Sequence, residues 1–289
     1  MVNYVTGLKE QWKACLIGLL IISNIFVWVA VYERHTGEIL SLYFFDVGQG
    51  DAIFIDSPRH GRVLIDGGRN KKVLTELGKV LPFADRRIDV VIATHPDGDH
   101  IGGLPEVLSR YSVGIFLEPG VSIESSVNDE LHARLLNQNI PVLEAKRGMV
   151  VNFGDGVYLT ILFPNQDVSW WPNNDGSIVS RLSYGDRVFL LTGDAVFRTE
   201  NILLNLNPGI LKADVLQAGH HGSHTSTSLA FAESVLPAYA VVSSGKDNSY
   251  GHPHQTVLDI LAKVGAEVVN TALFGTIRFD TDGHSLELK

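Results

Sequence analysis

Four side chains of the types that bind divalent metals occur within six residues, directly after an apolar run. The run Ile88–Thr94 predicts a buried strand, and His95-Pro96-Asp97-Gly98-Asp99-His100 follows it. Pro96 and Gly98 oppose both helix and strand, so a tight loop is expected here. Two imidazoles and two carboxylates suit two divalent ions. The alternative, a solvated polar loop, is disfavoured because the ligand types are so dense.

Two further predicted strands also end on residues of these types. Asp194 follows the apolar run Leu190–Thr192, and the pair His220-His221 follows Leu216–Ala218. Each has an ordinary explanation by itself, since Asp after Gly often forms a turn and a histidine pair often lies on the surface. Together, three such strand ends predict one site, because ligand sites of α/β sheets lie at the carboxyl ends of strands.

From about Gly37 onward, short runs rich in Val, Ile and Phe alternate with helical stretches and turns. No Pro-, Ser- or Gly-rich linker and no repeat divides residues 37–289, which are predicted to form one α/β (α+β) domain of two facing sheets with helices outside. The predicted strands are Leu40–Phe45, Ala52–Asp56, Arg62–Asp66, Ile88–Thr94, Val157–Phe163, Ser177–Tyr184, Arg187–Thr192, Ala213–Ala218 and Tyr239–Ser243. The predicted helices are Lys71–Leu81, one from near Gly102, Asn128–Asn137, Ser228–Leu236 and Gln255–Val264.

Composition excludes several classes of protein. Hydrophobic residues make up 45% of the 289, which excludes disorder for most of the chain. With 23 basic and 32 acidic residues the net charge is −9, which excludes a globally basic nucleic-acid binder. The single cysteine, Cys15, excludes an intrachain disulfide and a cysteine-based zinc site.

The N-terminal residues 1–36 are predicted to be a tail and a membrane anchor. Residues 14–32 carry no charge and would span about 28 Å as a helix, close to the hydrocarbon thickness of a bilayer. Lys9 and Lys13 before the run, against Arg34 after it, favour a single pass with the domain outside the cytoplasm. A cleaved signal peptide and a buried core helix are the alternatives.

The motifs together resemble the metallo-β-lactamase superfamily, and within it the C-terminal hydrolase-like domain of the ComEC competence proteins. The resemblance runs from about Leu40 to the end of the chain. It implies a four-layer αββα sandwich with two divalent metal ions at the edge between the sheets. The segments that carry it are residues 45–52 (FDVGQGDA), 64–68 (LIDGG), 94–103 (THPDGDHIGG), 193–195 (GDA), 220–223 (HHGS) and 250–253 (YGHP).

The resemblance also implies a role for each ligand. His95 and Asp97 would hold a first ion, Asp99 and His100 a second, and Asp194 would bridge them. One residue of the histidine pair would complete the second ion, with His220 favoured over His221.

Two departures from the family pattern replace nitrogen by oxygen at the first ion. Asp97 stands where most members have histidine, and the third-motif histidine has no counterpart, since Asn173-Asn174-Asp175-Gly176-Ser177 occupies its region. Oxygen-rich sites favour Mn²⁺ or Mg²⁺ over Zn²⁺. We therefore expect a tightly bound second ion, either Mn²⁺ or Zn²⁺, and a labile first ion, with manganese as its occupant.

Further roles follow from the same resemblance. Asp99 and Asp194 are the predicted catalytic residues, with Asp99 orienting the attacking water. Asp46 and Asp66 would orient imidazoles by hydrogen bonding, or merely form turns. The predicted substrate-binding residues are Ser223, Asn248, Tyr250 and His252, for which helix capping is the alternative.

The function expected from these features is a membrane-anchored, metal-dependent phosphodiesterase or nuclease related to DNA-uptake proteins. The charge of −9 weighs against it, because it offers no general attraction for a polyanion. One alternative is hydrolysis of another ester, such as a lactone, a phosphocholine ester or a β-lactam. Another is a non-catalytic, membrane-tethered binding domain. No protein partner is indicated.

Overall fold

A computed structural model describes residues 12–28, 39–121, 123–206 and 208–289. The chain divides into two units, Met1–Ile39 and Leu40–Lys289. In the first unit, residues 12–28 form helix α1. Within the described residues, no helix is both long and apolar enough to cross a membrane. The predicted membrane-spanning helix is therefore not confirmed. Residues 29–32 of that segment and the predicted domain boundary after residue 36 lie outside the described residues, so the boundary stays a prediction.

The second unit alternates strands and helices along the chain. Its strands are β1 (Leu40–Phe44), β2 (Ile53–Asp56), β3 (Arg62–Ile65), β4 (Arg87–Ile92), β5 (Ser112–Glu118), β6 (Val142–Glu144), β7 (Val150–Asn152), β8 (Val157–Phe163), β9 (Val179–Tyr184), β10 (Arg187–Leu191), β11 (Val215–Gln217), β12 (Tyr239–Val242), β13 (Glu267–Asn270), β14 (Ile277–Thr281) and β15 (Glu287–Leu288). Its helices are α2 (Lys72–Val80), α3 (Gly98–Ile101), α4 (Leu104–Arg110), α5 (Ser126–Asn137), α6 (Phe197–Leu206), α7 (Leu229–Val235), α8 (Gln255–Lys263) and α9 (Thr271–Phe274).

The described strands form two mixed sheets. The first has the order β15-β14-β1-β2-β3-β4-β5-β6, and the second β13-β12-β11-β10-β9-β8-β7. In the first sheet β3 to β6 pair in parallel, and in the second β10 to β13 do so. The remaining pairs are antiparallel.

Three apolar clusters join four layers, which are the two sheets and the helices outside each of them. The central cluster lies between the sheets and takes side chains from both, among them Phe44, Phe189 and Phe279. A second cluster packs the first sheet against α2, α4 and α5, and a third packs the second sheet against α6, α7 and α8. Central strands are thus buried on both faces, which explains why they appear in the sequence as continuous apolar runs. The predicted αββα sandwich is confirmed.

Some elements differ from the sequence-based expectations. Helix α6 and strands β13 and β14 were not predicted, and β6, β7 and β15 are only two or three residues long. The loop expected after β4 instead includes one helical turn, α3, which begins at Gly98 as soon as Pro96 is past. Proline disrupts a helix only where its missing N–H would have to donate a hydrogen bond. The residues after Pro96 are therefore free to form a helical turn.

The fold brings several strand ends to one edge. The carboxyl ends of the parallel neighbours β3 and β4 lead to Asp66 and to the 95–100 segment. In the second sheet, the parallel neighbours β10 and β11 lead to Asp194 and to the 220–221 pair. Neighbouring parallel strands end on the same side, so polar side chains that follow them meet there.

We expect Phe279→Ala to destabilise the protein by about 3–5 kcal/mol, because it removes a fully buried ring from between the sheets. Phe279 is 0% exposed, and its ring centroid lies 6.2 Å from that of Phe44, 6.3 Å from Phe189 and 5.4 Å from Tyr239. The matched control is Phe274→Ala, which truncates a ring that is 67% exposed and should change stability by no more than about 0.5 kcal/mol. Urea denaturation measures both, and equal losses would contradict the assigned core.

Candidate metal centre

Asp194 is the carboxylate around which the site is built. It follows β10 and is 3% exposed, and its amide donates to Ser177 Oγ at 3.1 Å. Gly193, which precedes it, has a φ of +50°. A Cβ at this position would lie 2.6 Å from Ser177 Oγ and 2.9 Å from Thr94 Cβ. Only glycine fits such a turn, and it directs Asp194 toward the gap between the two sheets.

The segment after β4 presents its ligand atoms to this carboxylate. His95 Nε2 lies 3.8 Å from Asp194 Oδ2, and His100 Nε2 lies 3.3 Å from Asp194 Oδ1. Asp97 Oδ2 is 3.4 Å from His95 Nε2. Both histidines are fully buried, whereas Asp97 is partly exposed. Two ligands that each bind one ion at about 2.1 Å lie about 3–4 Å apart, so these separations suit shared cations.

The adjacent His220 and His221 both have left-handed backbone, with φ of 50° and 56°. Non-glycine residues adopt this conformation only rarely. It brings both Nε2 atoms to Asp194 Oδ2, at 3.7 Å for His220 and 3.6 Å for His221.

The two histidines differ in their surroundings. His221 is 2% exposed, lies 3.7 Å from Asp99 Oδ2 through its Nε2, and places its ring 5.2 Å from that of His100. His220 is 26% exposed. The geometry favours His221 over His220 for the second ion, because His221 lies beside Asp99 and His100, and the assignment stays a prediction. The sequence pattern could not separate two adjacent identical residues.

Asp51 is a site residue that the sequence analysis did not name. It, His100, Asp194 and His221 each offer one ligand atom, and these four atoms lie within 4.8 Å of one another. Asp51 Oδ2 accepts a hydrogen bond from Gln217 Nε2 at 2.7 Å, and its carboxylate approaches the Nδ1 atoms of His221 and His100 at 3.7 and 3.9 Å.

In the sequence, the glycine before Asp51 is the feature that could have pointed to a close approach of the chain at this position. Gly50 has a φ of +122°, and a Cβ there would lie 2.0 Å from the carbonyl oxygen of Asp99. The turn that carries Asp51 therefore packs directly against the 95–100 segment, and only a glycine permits that approach.

Unpaired buried atoms test whether a metal ion fits this centre. Among the described residues, five buried side-chain atoms without a hydrogen-bond partner belong to it. They are Asp51 Oδ1, His95 Nε2, His100 Nε2, Asp194 Oδ1 and His221 Nε2. Burying such atoms unpaired is costly, and a cation that they coordinate removes that cost. The donor set of imidazole nitrogens and carboxylate oxygens is the one that divalent metals take. The residues fit a divalent metal ion.

The charges at the centre are strongly coupled. Burial disfavours protonation of His100, yet the carboxylates of Asp194 and Asp66 outweigh it and hold the pKa of His100 well above its usual value. The same balance, with burial opposed by Asp194 and Asp51, raises the pKa of His221 to about 9. Burial alone would raise the pKa of Asp194, but the facing His221 and His100 hold it well below its usual value.

The two aspartates predicted to orient imidazoles have different positions. Asp66 accepts hydrogen bonds from His100 Nδ1 at 2.7 Å, from the Thr94 hydroxyl at 2.7 Å and from the Thr94 amide at 2.8 Å. It thereby fixes the tautomer that leaves His100 Nε2 free for a metal. Asp46 instead pairs with Lys72 at 3.0 Å and accepts from the Gly48 amide, and no histidine of the described chain contacts it. Asp46 therefore has the position of a turn-forming residue, which was the alternative to orienting an imidazole.

The four predicted substrate-binding residues lie on two loops at the mouth of the centre. The Ser223 hydroxyl is buried and lies 3.0 Å from the Thr225 hydroxyl. Asn248 donates to the carbonyl oxygens of Gly245 and His252 and so shapes its own loop. Tyr250 is 53% exposed and stacks on His252, whose ring lies 5.6 Å from that of His220. Tyr250 and His252 are therefore better placed to meet a substrate, and all four roles stay predictions.

A comparison with family models decides what kind of protein carries this centre. Residues 45–246, most of the chain, match the model of the metallo-β-lactamase superfamily. The chain belongs to the metallo-β-lactamase superfamily. Together with the fitting ligand set, membership supports a metal-dependent hydrolase in general terms.

Curated relatives within the superfamily include Competence protein ComA of Neisseria gonorrhoeae, 31% identical over 236 residues, which are 81% of this chain and 31% of that protein. ComE operon protein 3 of Bacillus subtilis is 34% identical over 251 residues, which are 81% of this chain and 32% of that protein. Recombination protein 2 of Haemophilus influenzae is 30% identical over 280 residues, 95% of this chain and 33% of that protein. The chain thus spans about a third of the length of these relatives.

Among solved structures, CmlA, a diiron β-hydroxylase from Streptomyces venezuelae, matches with a TM-score of 0.52 and 15% identity. The match covers 84% of this chain and 54% of that one. At such identity the likeness shows the superfamily fold alone.

The affinity of the centre for Mn²⁺ should rise with pH between about 6.5 and 8.5. With a pKa of about 9, His221 holds a proton in the metal-free protein over this range, and metal binding to its Nε2 must release that proton. Each proton released strengthens apparent binding by up to about tenfold per pH unit. Isothermal titration calorimetry in two buffers of different ionisation enthalpy measures both the affinity and the protons released. An affinity independent of pH would contradict the assignment of His221.

Asp66→Asn should weaken metal binding by about 10- to 100-fold, because the variant loses the carboxylate that fixes the tautomer of His100. Asp46→Asn is the matched control, since it makes the same chemical change in a residue that contacts Lys72 and no histidine. Titration with Mn²⁺ compares the two variants. Equal weakening in both would show that Asp66 has no particular connection to the metal centre.

Proposed function

We propose that this chain is a metal-dependent phosphodiester hydrolase that acts on nucleic acid through two divalent ions, Mn²⁺ or Zn²⁺, on either side of Asp194. The observation that carries the proposal is the number of ligand side chains around that carboxylate, which is more than one tetrahedral ion takes. His95 and Asp97, here named the first half, lie 3.4 Å apart. Asp99, His100 and His221, here named the second half, form the other group, in which Asp99 Oδ2 approaches His221 Nε2 at 3.7 Å.

Ions held at this centre would supply a water of lowered pKa and neutralise charge that develops on phosphoryl oxygens. The chain contributes the proton transfers and the orientation of the substrate. Asp99 is 19% exposed, so its carboxylate reaches both the second half and the mouth, where it can accept a proton from the attacking water.

His252 supplies a neutral hydrogen-bonding group at the same mouth. Its burial and the neighbouring His221 and His220 lower its pKa to about 4, so it is uncharged at neutral pH. It is therefore available to hydrogen-bond a substrate oxygen without adding a positive charge beside the metal ions.

A cleft beside the first half supports a nucleic-acid substrate. It has a volume of about 690 Å³, and both Asp97 and His220 line it. Arg198 lines it too, with its guanidinium stacked 3.5 Å from the centroid of the Trp171 ring and 3.5 Å from Asp175. Phe197, also in the cleft, is 41% exposed. Proteins that bind single-stranded nucleic acids contact the phosphates through guanidinium groups and stack the bases on exposed aromatic rings.

The groups at the cleft bear on the unfavourable net charge, which by itself would not attract a nucleic acid. A chain of −9 repels a polyanion at long range, and Asp97 and Asp175 line the cleft beside Arg198. Bound cations would offset this repulsion locally, where Arg198 is placed to contact a phosphate. The names of the relatives refer to competence and recombination, and these processes are in keeping with nucleic acid as the substrate class.

We expect the metal-loaded protein to hydrolyse bis-p-nitrophenyl phosphate and a single-stranded DNA oligonucleotide, with no turnover in chelator. Asp99→Asn should lower the rate by about 10²- to 10⁴-fold, because it removes a proton acceptor at the mouth. Asp129→Asn, on the exposed side of α5, should match the unaltered protein. Bound metal is measured for each variant, so that lost binding is distinguished from lost chemistry.

The same assay with nitrocefin tests the other functions. Turnover of nitrocefin alone would show a hydrolase of a different ester or amide. A protein that holds its metal and turns over none of the three substrates would contradict the proposal and favour a binding role.

A further inference from the structure

The first half of the centre lacks the ligand that the third family motif ordinarily supplies. Asn173 and Asn174 occupy that region of the chain, and an amide offers no imidazole nitrogen. Asn173 Nδ2 is already engaged, since it donates to Asp97 Oδ1 at 2.5 Å. Of the described imidazoles and carboxylates identified so far, His95, Asp97 and the shared Asp194 are left to hold an ion there.

The ring nitrogens of His220 have the same kinds of neighbours as those of the three histidines already placed in the centre. In each of the four, Nδ1 lies at hydrogen-bond distance from an oxygen atom and Nε2 lies within 4 Å of Asp194. For His220 the oxygen is Thr225 Oγ1, at 3.0 Å. The corresponding partners are Thr94 Oγ1 at 3.1 Å for His95, Asp66 Oδ2 at 2.7 Å for His100 and the Ser243 carbonyl oxygen at 3.0 Å for His221. An oxygen that holds the Nδ1 proton leaves the Nε2 lone pair for a cation.

The neighbouring amide does not occupy that lone pair. Asn174 Nδ2 lies 3.2 Å from Nε2 and 3.5 Å from Nδ1 of His220. A group on the axis of the Nε2 lone pair would be much closer to Nε2 than to Nδ1, so the amide lies beside the ring. Nε2 itself lies 3.7 Å from Asp194 Oδ2.

The position of His220 indicates which ion it serves. His220 and Asp97 line the same cleft, whereas His221 contacts Asp99 and packs its ring near His100. The two consecutive left-handed residues both bring Nε2 within 4 Å of Asp194 Oδ2, while their Nδ1 atoms have different partners, Thr225 for His220 and Ser243 for His221.

We propose that His220 is a ligand of the first ion, in place of the missing third-motif histidine, so that the adjacent His220 and His221 bind different ions. The first half then consists of His95, Asp97, His220 and the shared Asp194. This assignment rests on the two-ion centre of the proposed function.

The test counts Mn²⁺ ions and their dissociation constants by calorimetry and by EPR of free Mn²⁺, with no activity assay. The unaltered protein should bind two ions. His220→Ala should weaken one of them by at least about 100-fold while the other stays within about threefold. The matched control His224→Ala removes an exposed histidine from the same loop and should keep both ions.

Double variants identify the ion. Because His95 and His220 would share one ion, His95→Ala combined with His220→Ala should still bind one ion, whereas His221→Ala combined with His220→Ala should bind none tightly. Circular dichroism confirms folding of each variant, and His220→Gln replaces His220→Ala if the alanine variant does not fold.

Three outcomes would overturn the assignment. If His220→Ala keeps both dissociation constants, His220 is not a ligand. If the pair His95→Ala and His220→Ala binds no ion, the two residues serve different ions. If the unaltered protein itself binds fewer than two ions, the two-ion centre of the proposed function fails together with the assignment, which distinguishes that failure from the first two.

Discussion

The buried carboxylate of Asp194 is the interaction on which the centre depends. A negative charge that is 3% exposed needs compensating positive charge, and His95, His100, His220 and His221 approach it from two parts of the chain. In the metal-free protein, His100 and His221, whose pKa values are raised, compensate the charge directly as protonated imidazoles. When an ion is bound, it takes the place of their protons. The same residues are therefore compatible with a folded metal-free protein and with a metal-loaded one, which explains how a polar cluster persists at the edge of an apolar core.

The two-sheet sandwich holds these groups together. Asp51 and Gln217 are joined by a hydrogen bond of 2.7 Å although 166 residues separate them, and this bond connects the two sheets at the site. Gln217 also accepts from the amides of Thr192 and Gly193, so it fixes the turn that carries Asp194. Because the central apolar cluster sets how the sheets face each other, packing far from the site determines whether these few polar atoms meet.

The sequence predicted what local patterns encode. The His95–His100 segment and Asp194 were found because each directly follows an apolar strand. The alternating elements suggested two facing sheets with helices outside, and the family resemblance implied the αββα sandwich. Asp51 was missed because its role appears only when the turn between β1 and β2 packs against the 95–100 segment and the end of β11. The choice between His220 and His221 depends on backbone angles that residue identity does not reveal. Strands β6 and β7 are short and mostly exposed, so they carry no apolar alternation from which they could be predicted.

The two halves of the centre differ in exposure, and this bears on how the ions exchange. His100 and His221 are 0% and 2% exposed, whereas Asp97 and His220 are 34% and 26% exposed and line the open cleft. In the two-ion centre that we propose, water and competing ligands would therefore reach the first half, through Asp97 and His220, more readily than the second. A carboxylate at Asp97, in place of the imidazole most of the superfamily has there, weakens the preference for Zn²⁺ as well. In the proposed centre, exposure and ligand chemistry thus act in the same direction, toward a retained second ion and an exchangeable first ion.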